Sequence, residues 1–170
     1  PRGLAHITGE LDLTASISLQ GAITVQATSS DLKVNGAELD VDATGTYAAS
    51  AGGHSLTVKT SGTGTGPRGN AVEHDGDYTI GWDAATQCRT IDGDWSTELG
   101  AASRSSKVEL SQCGGGCPTG SIAHTTVDGK TMTVSFDGTA TASWSLTASA
   151  TTAGASGAVL GTGTITLDCK

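Results

Sequence analysis

The stretch Thr131–Ala150, TMTVSFDGTATASWSLTASA, decides the fold. Its even positions run Met132, Val134, Phe136, Gly138, Ala140, Ala142, Trp144, Leu146, Ala148 and Ala150. Its odd positions are Thr or Ser throughout, Asp137 excepted. Successive side chains on a strand point to opposite faces, so an unbroken period of two is a strand signal. One face is small and apolar and the other carries hydroxyls, the pattern of an antiparallel sheet with one face packed and one wet.

Working outward, the parity of the apolar positions tests each turn. Paired residues on antiparallel strands share a face, so a two-residue loop flips the parity and a three-residue loop keeps it. From Ile7 to Ala27 the odd positions are apolar or Gly and parity survives Gly21. That predicts a hairpin with an odd-length loop there, or else one very long strand. Asn35-Gly36 is a type I′ signal and predicts Val34 opposite Ala37 and Leu32 opposite Leu39. Gly52-Gly53 predicts Ala49 opposite Leu56 and Tyr47 opposite Val58. Thr60–Asn70 breaks the pattern and reads as a loop or a Gly-rich edge strand, with Pro67 against a central one. A strand is expected over Asp77–Asp83, then a turn at Asp92-Gly93 pairing Thr90 with Trp95, then a strand over Lys107–Cys113. Val127-Asp128-Gly129 and Phe136-Asp137-Gly138 read as parity-keeping loops with Gly in the left-handed position. A last turn near Gly154–Gly157 would set Trp144 opposite Leu167 and Leu146 opposite Ile165. No segment has helical periodicity. The expectation is an all-β antiparallel meander of about ten to twelve strands with no long helix. A β-sandwich and a closed barrel both fit.

At 170 residues the chain reads as a single β domain over 1–170. Aromatics are only 4% and Gly numbers 25, so any core is thin. The formal charge is -8 with no basic run, which speaks against binding nucleic acid. No apolar run is long enough for a transmembrane helix. The opening Pro1-Arg2-Gly3 reads as a processed start.

Cys88, Cys113, Cys117 and Cys169 are an even number in a Gly/Thr/Ser-rich β sequence and read as two structural disulfides formed in an oxidising compartment. Of the three connectivities, Cys113 with Cys117 and Cys88 with Cys169 is favoured, because Gly114–Gly116 can close on itself. Only one cysteine pair is close, which does not suit a four-Cys zinc site.

Other candidate chemistry is thin. His6, His54, His74 and His124 lack metal-site spacing and read as solvated or hairpin histidines. Glu38, Asp40 and Asp42 fall on one face of one strand. Asp75-Gly76-Asp77 and Asp92-Gly93-Asp94 could contribute to calcium-binding turns, but neither continues as an EF-hand. Gly154-Ala155-Ser156-Gly157 is not a nucleophile elbow. No catalytic residue, metal ligand or cofactor site is therefore assigned, and no enzyme is expected. Trp82, Trp95 and Trp144 all lie on the inward parity and read as core anchors, with an exposed sugar-binding platform as the alternative.

Tyr78–Pro118, with Cys88 ahead of Asp92-Gly93-Asp94-Trp95 and then Cys113-Gly-Gly-Gly-Cys117, resembles Thr/Ser/Gly-rich secreted or lipid-anchored bacterial β domains. The resemblance covers about a quarter of the chain. It implies an extracellular or cell-surface location and transfers no site residue. The expected function is a secreted structural or cell-surface protein, with a filament subunit that self-associates through β-strand contacts as its specific form. Residues 1–28 are the candidate strand-donating segment, with Ile7, Leu11, Leu13, Ile17 and Leu19 as assembly candidates. A glycan- or lipid-binding module is the alternative and a hydrolase ranks last.

Overall fold

The computed structural model describes residues 6–34, 37–66, 68–149 and 157–169. Eleven strands succeed one another: β1 (Ile7–Ile17), β2 (Ile23–Val34), β3 (Ala37–Ser50), β4 (Gly53–Thr65), β5 (Ala71–Asp83), β6 (Cys88–Leu99), β7 (Ala102–Cys113), β8 (Thr119–Thr125), β9 (Thr131–Asp137), β10 (Thr141–Thr147) and β11 (Val159–Thr166). Among the described residues there is no helix. All eleven strands form one antiparallel sheet in sequence order, as the alternation predicts. β1 and β11 end that order without pairing to each other, so the sheet does not close into a barrel. Each strand approaches only its sequence neighbours.

Several turns fall where parity puts them. Ile17 pairs with Ile23 across a five-residue loop, and Gly21 within it has φ 81°. The hairpin reading of 7–27 therefore holds, and Ile7–Ile17 and the start of β2 belong to the sheet itself. Asn35-Gly36 lies outside the described residues, but Leu32 faces Leu39 and Val34 faces Ala37 as expected. The two Asp-Gly loops keep parity: five residues separate the paired Thr125 and Thr131, and three, Gly138–Ala140, join β9 to β10, with Phe136 opposite Ala142. Gly129 and Gly138 take φ of 75° and 84°.

Other expectations are corrected. The Gly52-Gly53 register moves: Tyr47 pairs with Leu56 and Ser50 with Gly53, which places the loop at Ala51-Gly52. Thr60–Thr65 is neither loop nor edge but the end of central strand β4. A Cβ on Gly64 would lie 2.0 Å from the Glu38 carbonyl oxygen, so that strand needs glycine to approach β3. Asp92-Gly93 is no turn; it sits in mid-β6, and Trp95 pairs with Gly76 and Ser106. Ile91, Trp95 and Leu99 share one parity, as an uninterrupted strand requires. Gly93 is there because the β5 backbone runs close beside it: a Cβ would stand 2.3 Å from the Asp77 carbonyl oxygen and 2.4 Å from the Tyr78 Cα. The turn into β7 is Gly100-Ala101, with Gly100 at φ 64°.

The C-terminal register also differs. Trp144 pairs with Gly163 and Leu146 with Gly161, not with Leu167 and Ile165. The Trp144 indole lies over both glycines, and a Cβ on Gly163 would stand 2.5 Å from its Nε1. Residues 154–156 of the expected turn lie outside the described residues.

All four cysteines form disulfides, but with other partners than expected: Cys88–Cys113 and Cys117–Cys169. The β6–β7 register sets Cys88 directly opposite Cys113, with Cα atoms 3.9 Å apart. That leaves Cys117 for Cys169 beyond the end of β11.

Candidate functional site

Register carries the two-face pattern across the whole sheet. On one face a cross-strand row passes from Ser16 through Thr24, Thr46, Thr57 and Thr79 and on to Ser143 and Thr164. Hydroxyls bond within this face, Thr57 to Thr79 at 3.0 Å and Thr125 to Thr131 at 2.9 Å. Each pair satisfies polar groups at neighbouring strands. Carboxylates share the face. Lys59 pairs with Asp77 at 2.8 Å, and Asp42, Asp75 and Asp94 stand around a shallow depression of about 320 Å³ beside it. The Asp77 carboxylate raises the Lys59 ammonium above its ordinary value. Lys33 likewise holds Glu38 below the usual carboxylate range, from 2.8 Å.

The calcium-turn reading of Asp75-Gly76-Asp77 and Asp92-Gly93-Asp94 is not met. Both lie inside straight strands, where carboxylates point out in a plane and cannot wrap an ion with six to eight oxygens. Among the described residues, no three His, Cys, Asp or Glu side chains are arranged to hold a metal.

The other face is apolar and open. Only Val108 and Ala142 are buried hydrophobics among the described residues, and Leu13 is 65% exposed. The three tryptophans do lie on this face, but Trp82 is 37% and Trp95 39% exposed, so those two anchor no core within one chain, while Trp144 is half-buried over the glycines of β11. The cause is topological: a single layer has nothing to set against its own apolar side. The assembly candidates Ile7, Leu11, Leu13 and Ile17 line edge strand β1, all exposed, and Leu19 is fully exposed in the β1–β2 turn.

Two local arrangements stand out on the apolar face. The first is aromatic. His54 stacks on Trp82 with ring centres 4.8 Å apart, and Tyr47 continues the stack 6.2 Å from His54. With Leu56, Ile80 and Arg89 they line a depression of about 320 Å³. The second is a polar island. His74 bridges Thr60 at 3.2 Å and Thr97 at 3.0 Å, and Ser106 bonds His124 Nδ1 at 2.7 Å. Thr97 and Ser106 are the two buried polar residues among those described. These bonds supply the partners that buried hydroxyls need.

The Ser106–His124 contact has the length of a nucleophile–base pair. Acyl transfer would also need free donors for an oxyanion. Here β7 and β8 are interior strands, and their N–H groups are engaged in the ladders on both sides. The contact therefore reads as hydroxyl satisfaction. Sequence reasoning missed the three contacts of these two histidines because each joins residues at least 14 positions apart. The usable signal was the strand parity that places His74 and His124 among apolar neighbours.

No helix among the described residues is long and apolar enough to cross a membrane. No protein-family model, no curated protein and no solved structure matches this chain.

Proposed function

We propose that this chain is a structural subunit, secreted or displayed at a cell surface, that assembles by adding its sheet to that of a neighbour. The observation that carries the reading is the open eleven-strand sheet whose two edges, β1 and β11, are unpaired among the described residues. An exposed edge presents a row of unpaired N–H and C=O groups and is a template for another chain. β1 is eleven residues long, with no Lys, Arg or Pro to blunt it. With an odd number of strands, β1 and β11 run in the same direction, so a head-to-tail contact pairs them in parallel. Such a contact is heterologous and propagates as a filament. Two disulfides suit an oxidising, extracellular setting.

The test is electron microscopy of native material. Edge-wise addition of eleven strands gives an axial repeat of about 53 Å at roughly 4.8 Å per strand. Filaments with that repeat support the reading, and discrete particles at every concentration would end it.

The stack of Tyr47, His54 and Trp82 beside Arg89 favours a second reading, a platform for sugar rings. Glycan arrays read against Trp82→Ala would decide it. Loss of any bound glycan in the variant is expected, and an unlabelled array would remove the reading.

A further inference from the structure

The apolar face is the largest feature left without a partner, and its charge pattern and area both say what fits it. From β3 to β11 every strand carboxylate, Glu38 to Asp137, stands on the hydroxyl face. The apolar face carries none over those strands. Its formal cations there are Arg89, near the start of β6, and Arg104, near the start of β7. Antiparallel strands put these at opposite rims. Between them lies an uncharged centre that includes Tyr78, Ile80, Ile91, Val108 and Leu110. An apolar centre with charge at the rim is the anatomy of an interface.

The accessible surface is 11064 Å². A compact monomer of 16.8 kDa exposes ~7,700 Å² by the size scaling. The excess is ~3,400 Å² for each chain, or ~6,800 Å² for two, where permanent homodimers hide about 2,000–5,000 Å² or more. Open sheets beyond about ten strands also rarely stand as single layers.

We propose that two copies of this chain pack apolar face against apolar face, each supplying the layer the other lacks. A twofold axis makes the contact isologous, with the two sheets ~10 Å apart. Stacking apolar face on hydroxyl face would instead strip water from carboxylates with only the rim cations Arg89 and Arg104 to meet them. The acidic faces then both point outward and repel further stacking. This goes beyond the edge-wise reading, since it concerns a face and not an edge, and either contact can fail alone.

The test uses the full chain in analytical ultracentrifugation from low to high micromolar concentration. A dimer is expected at the lowest concentrations, as the unit from which any edge-wise assembly grows. Ile91→Lys, at the centre of the apolar face, should weaken it at least ~100-fold, while Thr90→Lys, next along the strand on the hydroxyl face, should leave it unchanged. Should Ile91→Lys fail to fold, tryptophan emission of the unaltered chain decides. Shielding of Trp82 and Trp95 from iodide that is lost on dilution supports the pair, and equal quenching at all concentrations overturns it. A monomer throughout, or a dimer indifferent to Ile91→Lys, also overturns it. So does a monomer that partitions onto phosphatidylcholine vesicles, which would put acyl chains where we place the second copy. Absence of filaments with the dimer intact would count against the edge-wise reading alone.

Discussion

The first five strands and the last six use one alternation and are held together differently. β1–β5 carry no disulfide, and no described residue there is buried. Both disulfides and all four buried residues among those described, Thr97, Ser106, Val108 and Ala142, belong to residues 88–169. In the second region aromatic rings lie over glycines of the next strand, as Trp144 does over Gly161 and Gly163. The first region relies on its backbone ladder, hydroxyl pairs such as Thr24 with Thr46 at 3.3 Å, and a bulge near Asp31, where the Ser29 hydroxyl accepts from the Val41 N–H at 2.8 Å. Period-two patterning thus suffices to set a ladder, and covalent links with ring-on-glycine packing add what cover a single layer can have.

The largest expected effect tests the covalent half of that contrast. Replacing Cys117 and Cys169 by Ser opens a link spanning 52 residues and should cost about 4 kcal/mol in denaturant unfolding by the chain-entropy relation. The Cys88/Cys113 pair, spanning 25 residues, should cost roughly 3.5 kcal/mol. If neither loss is measurable, the second region is not held by its disulfides and the comparison breaks.

Glycine substitutions come next. Gly163→Val drives a side chain into the Trp144 indole and should destabilise by about 1–3 kcal/mol. At Gly45, in β3, a Cβ would meet nothing within 4 Å. Gly45→Ala should therefore be neutral or stabilise by up to about 1 kcal/mol. Thermal melts of the two variants, one on each side of the divide, should move apart.

Truncations of apolar side chains sharpen the comparison further. Val108→Ala removes a buried group and should cost about 1–2 kcal/mol. Leu13→Ala, on the exposed edge strand, should cost under about 0.5 kcal/mol for a lone chain. A Leu13→Ala loss that grows with protein concentration would mean that the edge region is covered by another molecule.

The smallest effect is electrostatic. Lys130, and after it the Thr126 hydroxyl, holds the Asp128 carboxyl down at about 2 from an ordinary 3.8. A depressed carboxylate adds stability that is fully present above about pH 4 and is lost as the pH falls towards 2. The site is exposed, so salt should screen it. Carboxyl NMR titration should find Asp128 moved up towards the ordinary range in Lys130→Met, with the Thr126 hydroxyl still holding it somewhat low, and no change there would remove the assigned cause.

How much was legible depends on which residues carry local information. The hairpins at Gly21 and Asn35-Gly36 could be placed because parity on both sides of a turn is written in sequence, and Leu32 does face Leu39. Asp92-Gly93 misled because an Asp-Gly pair is a turn signal in isolation, while Gly93 is there to admit the β5 backbone at Asp77 and Tyr78. The Trp144 register slipped because it depends on which β11 glycines leave room for an indole. The polar island was missed because His74 takes its partners from strands on both sides.

Alternation alone was enough to establish an all-β meander, the lack of helix among the described residues, and the assignment of nearly every side chain there to an apolar or a hydroxyl face. These rest on a period of two that each strand carries without help from its neighbours. Long-range packing settled which glycines turn and which admit a neighbour, which cysteines meet, and that the sheet stays open with its apolar face bare. Those depend on steric fit between residues far apart in the chain, and a strand's own period holds no record of it.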